Sequence, residues 1–266
     1  VISGYEHNAV VRPLVSLERF GVTYTAAQAP LFDPDGLLRE FRACIRPETG
    51  LVVCNHVSNV FGNIAPIEAL DALCYEHGLP LVIDASQSAG TLSIDASRLR
   101  ATEFICMPGH KGLYGPQGTG VMVHTGTREC TTIIEGGTGS ASASYTQPTF
   151  EPDRFESGTH NVAGIAGLCE GVRFVRQQGE AQILGRERRL VRYIGSELLK
   201  MDGVTVYMSR DPALQSGVLS FCSRDIECET LAEALSSAGI AVRAGLHCAP
   251  LAHVTAGTYP RGTVRV

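Results

Sequence analysis

The 266 residues carry 44% hydrophobic and 18% charged side chains and a net charge of −5, the make-up of a globular chain with material for a sizeable core. The acidic balance argues against nucleic acid or an anionic membrane as the main partner, and no apolar run is long enough to span a bilayer. Nine cysteines without a CxxC pair fit free thiols in a reducing cytoplasmic compartment, with all but Cys248 read as small interior hydrophobes.

Short apolar runs alternate with amphipathic stretches, which predicts an α/β fold with a largely parallel sheet. Leu51-Val52-Val53-Cys54 reads as a buried strand. Pro66 to His77 reads as a helix with Ile67, Leu70 and Cys74 on one face, closed by Gly78. Leu81-Val82-Ile83, Glu103 to Met107 and Thr119 to Val123 supply three more strands. Gly136 to Ser144 is a low-complexity run of glycine, serine and alanine that builds no core and is expected to be a mobile surface loop. From Asn161 to Met201 the spacing becomes helical, interrupted at Gly179. Strands at 204–206 and 218–221, a helix near Glu229 to Ala238 and a strand at Ala241-Val242 follow. The expected organisation is a large domain over residues 1–165, then a linking helix and a smaller C-terminal α+β domain over 166–266.

Parallel α/β sheets bind ligands at the carboxyl ends of their strands. Those ends carry Asn55, His56, Ser58 and Asn59, then Asp84, Ser86 and Gln87, then His110 and Lys111. Singly, each is a common cap or turn residue; together they describe a site. Gly109-His110-Lys111 lacks the spacing of a nucleotide-phosphate loop, and Gly115-Pro116-Gln117-Gly118 precedes a strand rather than following one. No short paired spacing of His7, His56, His110 and Asp84 supports a metal. Pyridoxal phosphate fits best, because it needs a lysine for its aldehyde, a carboxylate for its pyridine nitrogen and room beside glycines.

The stretches Gly-His-Lys-Gly-Leu-Tyr-Gly-Pro at 109–116 and Arg-Ala-Gly-Leu-His-Cys-Ala-Pro at 243–250 resemble the class V aminotransferase family of fold-type I pyridoxal-phosphate enzymes. Within it, the cysteine desulfurase and selenocysteine lyase-like branch is the nearer match, from Tyr5-Glu6-His7 to Gly262-Thr263-Val264-Arg265. The resemblance implies that Lys111 holds the cofactor covalently, Asp84 pairs with its ring nitrogen and His7 stacks on its ring. It places Asn59 and Gln87 on the ring-oxygen side and His110 on the phosphate. Glu156-Ser157-Gly158-Thr159 would reach a partner subunit's phosphate, so Thr159 implies a homodimer with shared active sites. Arg265 would grip the substrate carboxylate with Arg243 nearby.

Cys248 is the implied nucleophile. It would take sulfur from L-cysteine as a persulfide, release alanine and pass the sulfur to an acceptor protein, its thiolate poised by His247 and Arg243. Two departures stand out. Pro108 occupies a position where the family usually has serine or threonine, and so offers neither hydroxyl nor N–H to a phosphate. Relatives also have an N-terminal portion with a phosphate-binding turn and a longer C-terminal end, which makes this chain read as a fragment. Alternative readings are selenocysteine lyase, an aminotransferase or epimerase, or a truncated relative serving as a dimerisation module.

Overall fold

Residues 1–126 and 128–266 are described by a computed structural model. In chain order, β1 (Ile2–Ser3), α1 (Asn8–Leu17), β2 (Ala26–Ala27), α2 (Pro34–Cys44), β3 (Val52–Asn55), α3 (Ile67–Glu76), β4 (Leu81–Asp84), β5 (Thr102–Pro108) and β6 (Gly120–His124) come first. Their strands make one sheet in the order β2-β1-β3-β4-β5-β6. Neighbours run parallel except β6, which pairs antiparallel with β5. The α/β class and the mostly parallel sheet are those expected from the sequence.

Local chemistry explains the elements. Asp33 caps α2 by accepting the Gly36 N–H at 2.8 Å, and Pro34 takes the first helical position, where its missing N–H costs nothing. Leu37 and Phe41 of α2, with Leu70 and Cys74 of α3, cover Val52, Cys54, Leu81, Ile83 and Ile105 on one face of the sheet. Full burial of such a side chain contributes roughly 1.5–3 kcal/mol. The two-residue period of a strand then turns Val53, Val82 and Asp84 to the opposite face. Asn55 and Asp84 are in register at the carboxyl ends of β3 and β4.

The later half contains α4 (Val162–Gln178), α5 (Glu180–Leu198), β7 (Val204–Tyr207), β8 (Ser220–Ser223), α6 (Cys228–Ser237), β9 (Arg243–Gly245), α7 (Pro250–Thr255) and β10 (Thr263–Arg265). Its sheet has the order β7-β8-β10-β9, antiparallel throughout. Gly179 separates α4 from α5 at φ 82°, a backbone conformation that glycine adopts without steric cost. The strand expected at 241–242 lies instead at Arg243–Gly245. Its partner fixes it there, since Val264 aligns with Ala244 and Arg265 with Arg243. Residues 136–144 form no helix or strand and are mostly exposed.

Phe61 joins the two sheets. It is fully buried, and its ring lies edge-on to Tyr5 at 6.5 Å and Tyr207 at 5.2 Å. Around it, the Ser220 hydroxyl donates to the Val60 carbonyl at 2.6 Å and the Ser216 N–H to the Gly62 carbonyl at 2.9 Å. The strand ends of the first sheet thereby face β10 of the second. Among the described residues no helix is long and apolar enough to cross a membrane.

Candidate active site

Three side chains meet where β4 and β5 end. Asp84 closes β4, and its Oδ1 accepts the Ser86 N–H at 2.9 Å, which orients the carboxylate. His7 caps α1, its Nδ1 accepting the Ala9 N–H at 3.0 Å. That bond leaves Nδ1 without a proton, and burial followed by the charge of Lys111 lowers the pKa of the ring. Lys111 lies just beyond β5; desolvation lowers its pKa, Asp84 opposes that shift and Arg265 adds to it. A lysine so placed holds its amine closer to the neutral, nucleophilic form than one in water.

Space beside the lysine comes from glycines. A Cβ on Gly112 would strike the Ala89 carbonyl oxygen, and Gly90 sits at φ 85° against Gly112 itself. Gln87 and Lys111 share a cleft of about 120 Å³ with Glu187 and Ser216. Asp84, Pro108 and Glu156 line a larger, mostly apolar one of about 670 Å³. His110 and Thr159 are both exposed, and Thr159 stands outside both clefts.

The cysteine approaches from the second sheet. Cys248 is exposed on the loop between β9 and α7, where it and His247 adopt successive left-handed conformations at φ 57° and φ 50°. Backbone clamps hold this uncommon geometry. The Asn8 N–H donates to the Cys248 carbonyl at 2.8 Å, and Asn59 Nδ2 donates to the His247 carbonyl at 2.8 Å. Arg265 Nη1 in turn donates to the Asn59 carbonyl at 2.7 Å. One bonded chain therefore connects the start of α1, the end of β3, the cysteine loop and β10.

Charge at the cysteine differs from the sequence expectation. Burial, with the Arg265 charge second, pushes His247 down to about 4, so at neutral pH the imidazole is uncharged and supplies no cation to the thiol. Arg265 is the cation that interacts with Cys248, and Arg243 stands opposite it in the β9–β10 ladder. Sequence reasoning placed Asn59 beside the cofactor ring. Its Nδ2 donates to the cysteine loop and its backbone carbonyl accepts from Arg265, while its Oδ1 is buried without a partner. The Asn8 clamp was invisible in the sequence, because it is a backbone donor whose acceptor lies far along the chain.

A family model described as Aminotransferase class-V matches residues 1–266. A "Probable cysteine desulfurase" of Mycolicibacterium paratuberculosis is 34% identical over 258 residues, covering 94% of this chain and 36% of the relative. A "Cysteine desulfurase" of Salmonella agona is 34% identical over 257 residues, covering 94% of this chain and 61% of that protein. Among solved structures, an Escherichia coli cysteine desulfurase in an S-sulfonic acid form matches with a TM-score of 0.86 at 25% identity, over all of this chain and 65% of that one. An apo cysteine desulfurase from Thermococcus onnurineus NA1 gives 0.79 at 26%, with 66% of its length covered. The chain thus spans less than two thirds of each of these proteins. The match of the family model to every residue, over a fold shared with solved cysteine desulfurases, establishes that the chain belongs to the class V aminotransferase family.

Proposed function

We propose that this chain carries the pyridoxal-phosphate and cysteine chemistry of a cysteine desulfurase. The residues at the strand ends suit that cofactor. Lys111 offers an amine that is only partly desolvated on an exposed side chain, Asp84 a carboxylate oriented by Ser86, and Asn59 a buried oxygen that still lacks a partner. Glycines keep the adjoining backbone clear of side chains. Lys111 would bind the cofactor aldehyde, Asp84 its pyridine nitrogen and His7 its ring face. Gln87 and Asn59 would serve its ring oxygen, with His110 on the phosphate and Thr159 reaching a second copy's phosphate. When bound, the cofactor supplies an electron sink for bonds at the substrate's α- and β-carbons.

The chain's own residues do the rest. Arg265, partly desolvated and held by Asn59, binds the carboxylate of L-cysteine beside Arg243. Cys248 Sγ takes the substrate sulfur: a new S–S bond forms, the substrate C–S bond breaks, and alanine leaves. L-cysteine and an enzyme thiol become alanine and an enzyme persulfide without an external oxidant. The persulfide, on an exposed loop, is then open to an acceptor protein.

The observation that carries this reading is the bonded chain from Asn8 and Asn59 to the Cys248 loop, which ties the exposed thiol to the helix start beside His7 and to the loop that follows β3, the strand next to the one that Asp84 closes. Reconstitution with pyridoxal phosphate, followed by addition of cysteine and assay of sulfide and alanine, tests it. Visible absorbance and alanine formation are expected, with Cys248→Ala keeping the absorbance and losing alanine. Absorbance that never develops defeats the cofactor assignment, while alanine formation that survives Cys248→Ala defeats the persulfide step alone.

A further inference from the structure

Glu6, the residue before His7, is completely buried. Among the described residues it forms no ion pair with any lysine, arginine or histidine. β1 stops at Ser3, so the N–H of Asn55 on β3 extends past its neighbouring strand and donates to Glu6 Oε1 at 2.7 Å. Glu6 thus replaces the strand that has ended, which lets the chain leave the sheet and begin α1 at His7.

Counting protons assigns the state of this carboxyl. Ser3 Oγ lies 2.6 Å from Glu6 Oε1 and 3.0 Å from Asn55 Oδ1. The Asn55 amide cannot be reversed, because its Nδ2 donates to the Tyr5 carbonyl at 2.7 Å. Ser3 Oγ also accepts the Tyr5 N–H at 3.2 Å. Three oxygens therefore make two contacts with one hydroxyl proton between them, leaving one contact without a hydrogen. A proton on Glu6 Oε1 completes the chain: Glu6 donates to Ser3, and Ser3 donates to Asn55. Asn55 is the in-register neighbour of Asp84.

We propose that Glu6 is kept as a neutral carboxylic acid and acts as a positioning residue, closing the turn that sets His7 and leaving the charge of Asp84 uncontested by a second buried carboxylate. The protonation stands on this chain's own geometry; the positioning role rests on the cofactor reading above. Burial supports the assignment by pushing Glu6 up to about 8, with Asp84 adding to the shift and the Ser3 and Asn55 contacts opposing it. Cys54 on β3 is the other titratable group it acts on.

The sign of the pH effect follows. The folded chain keeps a proton that the unfolded chain releases near 4.5, so this contribution to stability is complete below 4.5 and is lost as pH rises through about 8. In the apoprotein, an infrared difference spectrum between wild type and Glu6→Gln at pH 7 is expected to show a protonated-carboxyl band that fades as pH passes about 8. The wild-type melting temperature is expected to fall relative to that of Glu6→Gln between about pH 4.5 and 8 and to level off above it. A carboxylate band at pH 7, or parallel melting curves, overturns the protonation; should Glu6→Gln fail to fold, titration of the wild-type band decides alone. With pyridoxal phosphate as the probe, Glu6→Gln is expected to bind as wild type does and Glu6→Ala about tenfold more weakly, the equivalent of one lost hydrogen bond. Equal binding by Glu6→Ala overturns the positioning role. Wild type that binds no pyridoxal phosphate at all overturns the cofactor reading and leaves the infrared result standing.

Discussion

Asp84 and Lys111 sit where strands of the parallel sheet stop, whereas Cys248 hangs on a loop that bonds from distant segments hold in left-handed geometry. The lysine end takes its geometry from sheet register: once Leu81 and Ile83 face the α2–α3 core, Asp84 must face the other way. The cysteine end has no ladder to define it. Its carbonyls are fixed by Asn8 and Asn59, which belong to the first sheet's connections. One end is thus set by regular structure and the other by tertiary contact, so each should respond to its own class of substitution.

The heaviest way to break that relation is at the joint. Phe61 is fully buried between Tyr5, Tyr207 and His253. Phe61→Ala removes most of an aromatic side chain and leaves a cavity, and is expected to cost about 3–5 kcal/mol. Denaturant titration reads the loss directly. A cost below about 1 kcal/mol would mean that the two sheets are joined mainly by the backbone bonds around residues 60–62 and 216–220.

Legibility in the sequence divides along the same line. The runs at 51–54, 81–83 and 103–107 are visible because they are short and almost continuously apolar, and reading the residues just beyond them finds Asp84 and Lys111. β1 and β2 have two residues each, too few to show a period. β9 is Arg-Ala-Gly, with no apolar signature, and is a strand only because β10 supplies its hydrogen bonds. The Asn59–His247 bond spans 188 residues. The neutral state of His247 has the same origin, since its burial is made by segments far from it in the chain. The motif around Cys248 is what singles it out in the sequence as the expected nucleophile; which cation faces it is a property of the fold.

The two ends also differ in the sign of their response to pH. At the lysine end, Glu6 ties stability to low pH. At the cysteine end, burial holds His253 near 4 against an ordinary value of 6.5. The unfolded chain therefore binds a proton between those values that the folded chain refuses, so stability is full above 6.5 and lost as pH falls toward 4. For a side chain that is 0% exposed, the shift is worth on the order of 3 kcal/mol. Melting temperatures are expected to fall on acidification through this window, and His253→Asn to flatten the fall. An acid limb that is unchanged in His253→Asn would assign it to another group.

The lightest substitution separates the ends most cleanly. Asn8 is the first residue of α1, a position where proline is well tolerated because its missing N–H has no helical partner. His7 before it is extended at φ −76° and ψ 156°, as a residue preceding proline must be. Asn8→Pro should therefore preserve the helix and the Ala9–His7 cap while deleting the one N–H that holds the Cys248 carbonyl. The expected cost in stability is about 1–3 kcal/mol, because the ring carbon that replaces the hydrogen also pushes the Cys248 carbonyl away and leaves it unpaired. If that contact serves only to position the thiol, pyridoxal-phosphate absorbance stays as in wild type while alanine formation slows about 5–100-fold, the same free energy expressed as a rate. A parallel fall in cofactor binding would instead mean that α1 shifts as a unit when the clamp is lost, and that His7 and Cys248 are positioned by one device rather than two.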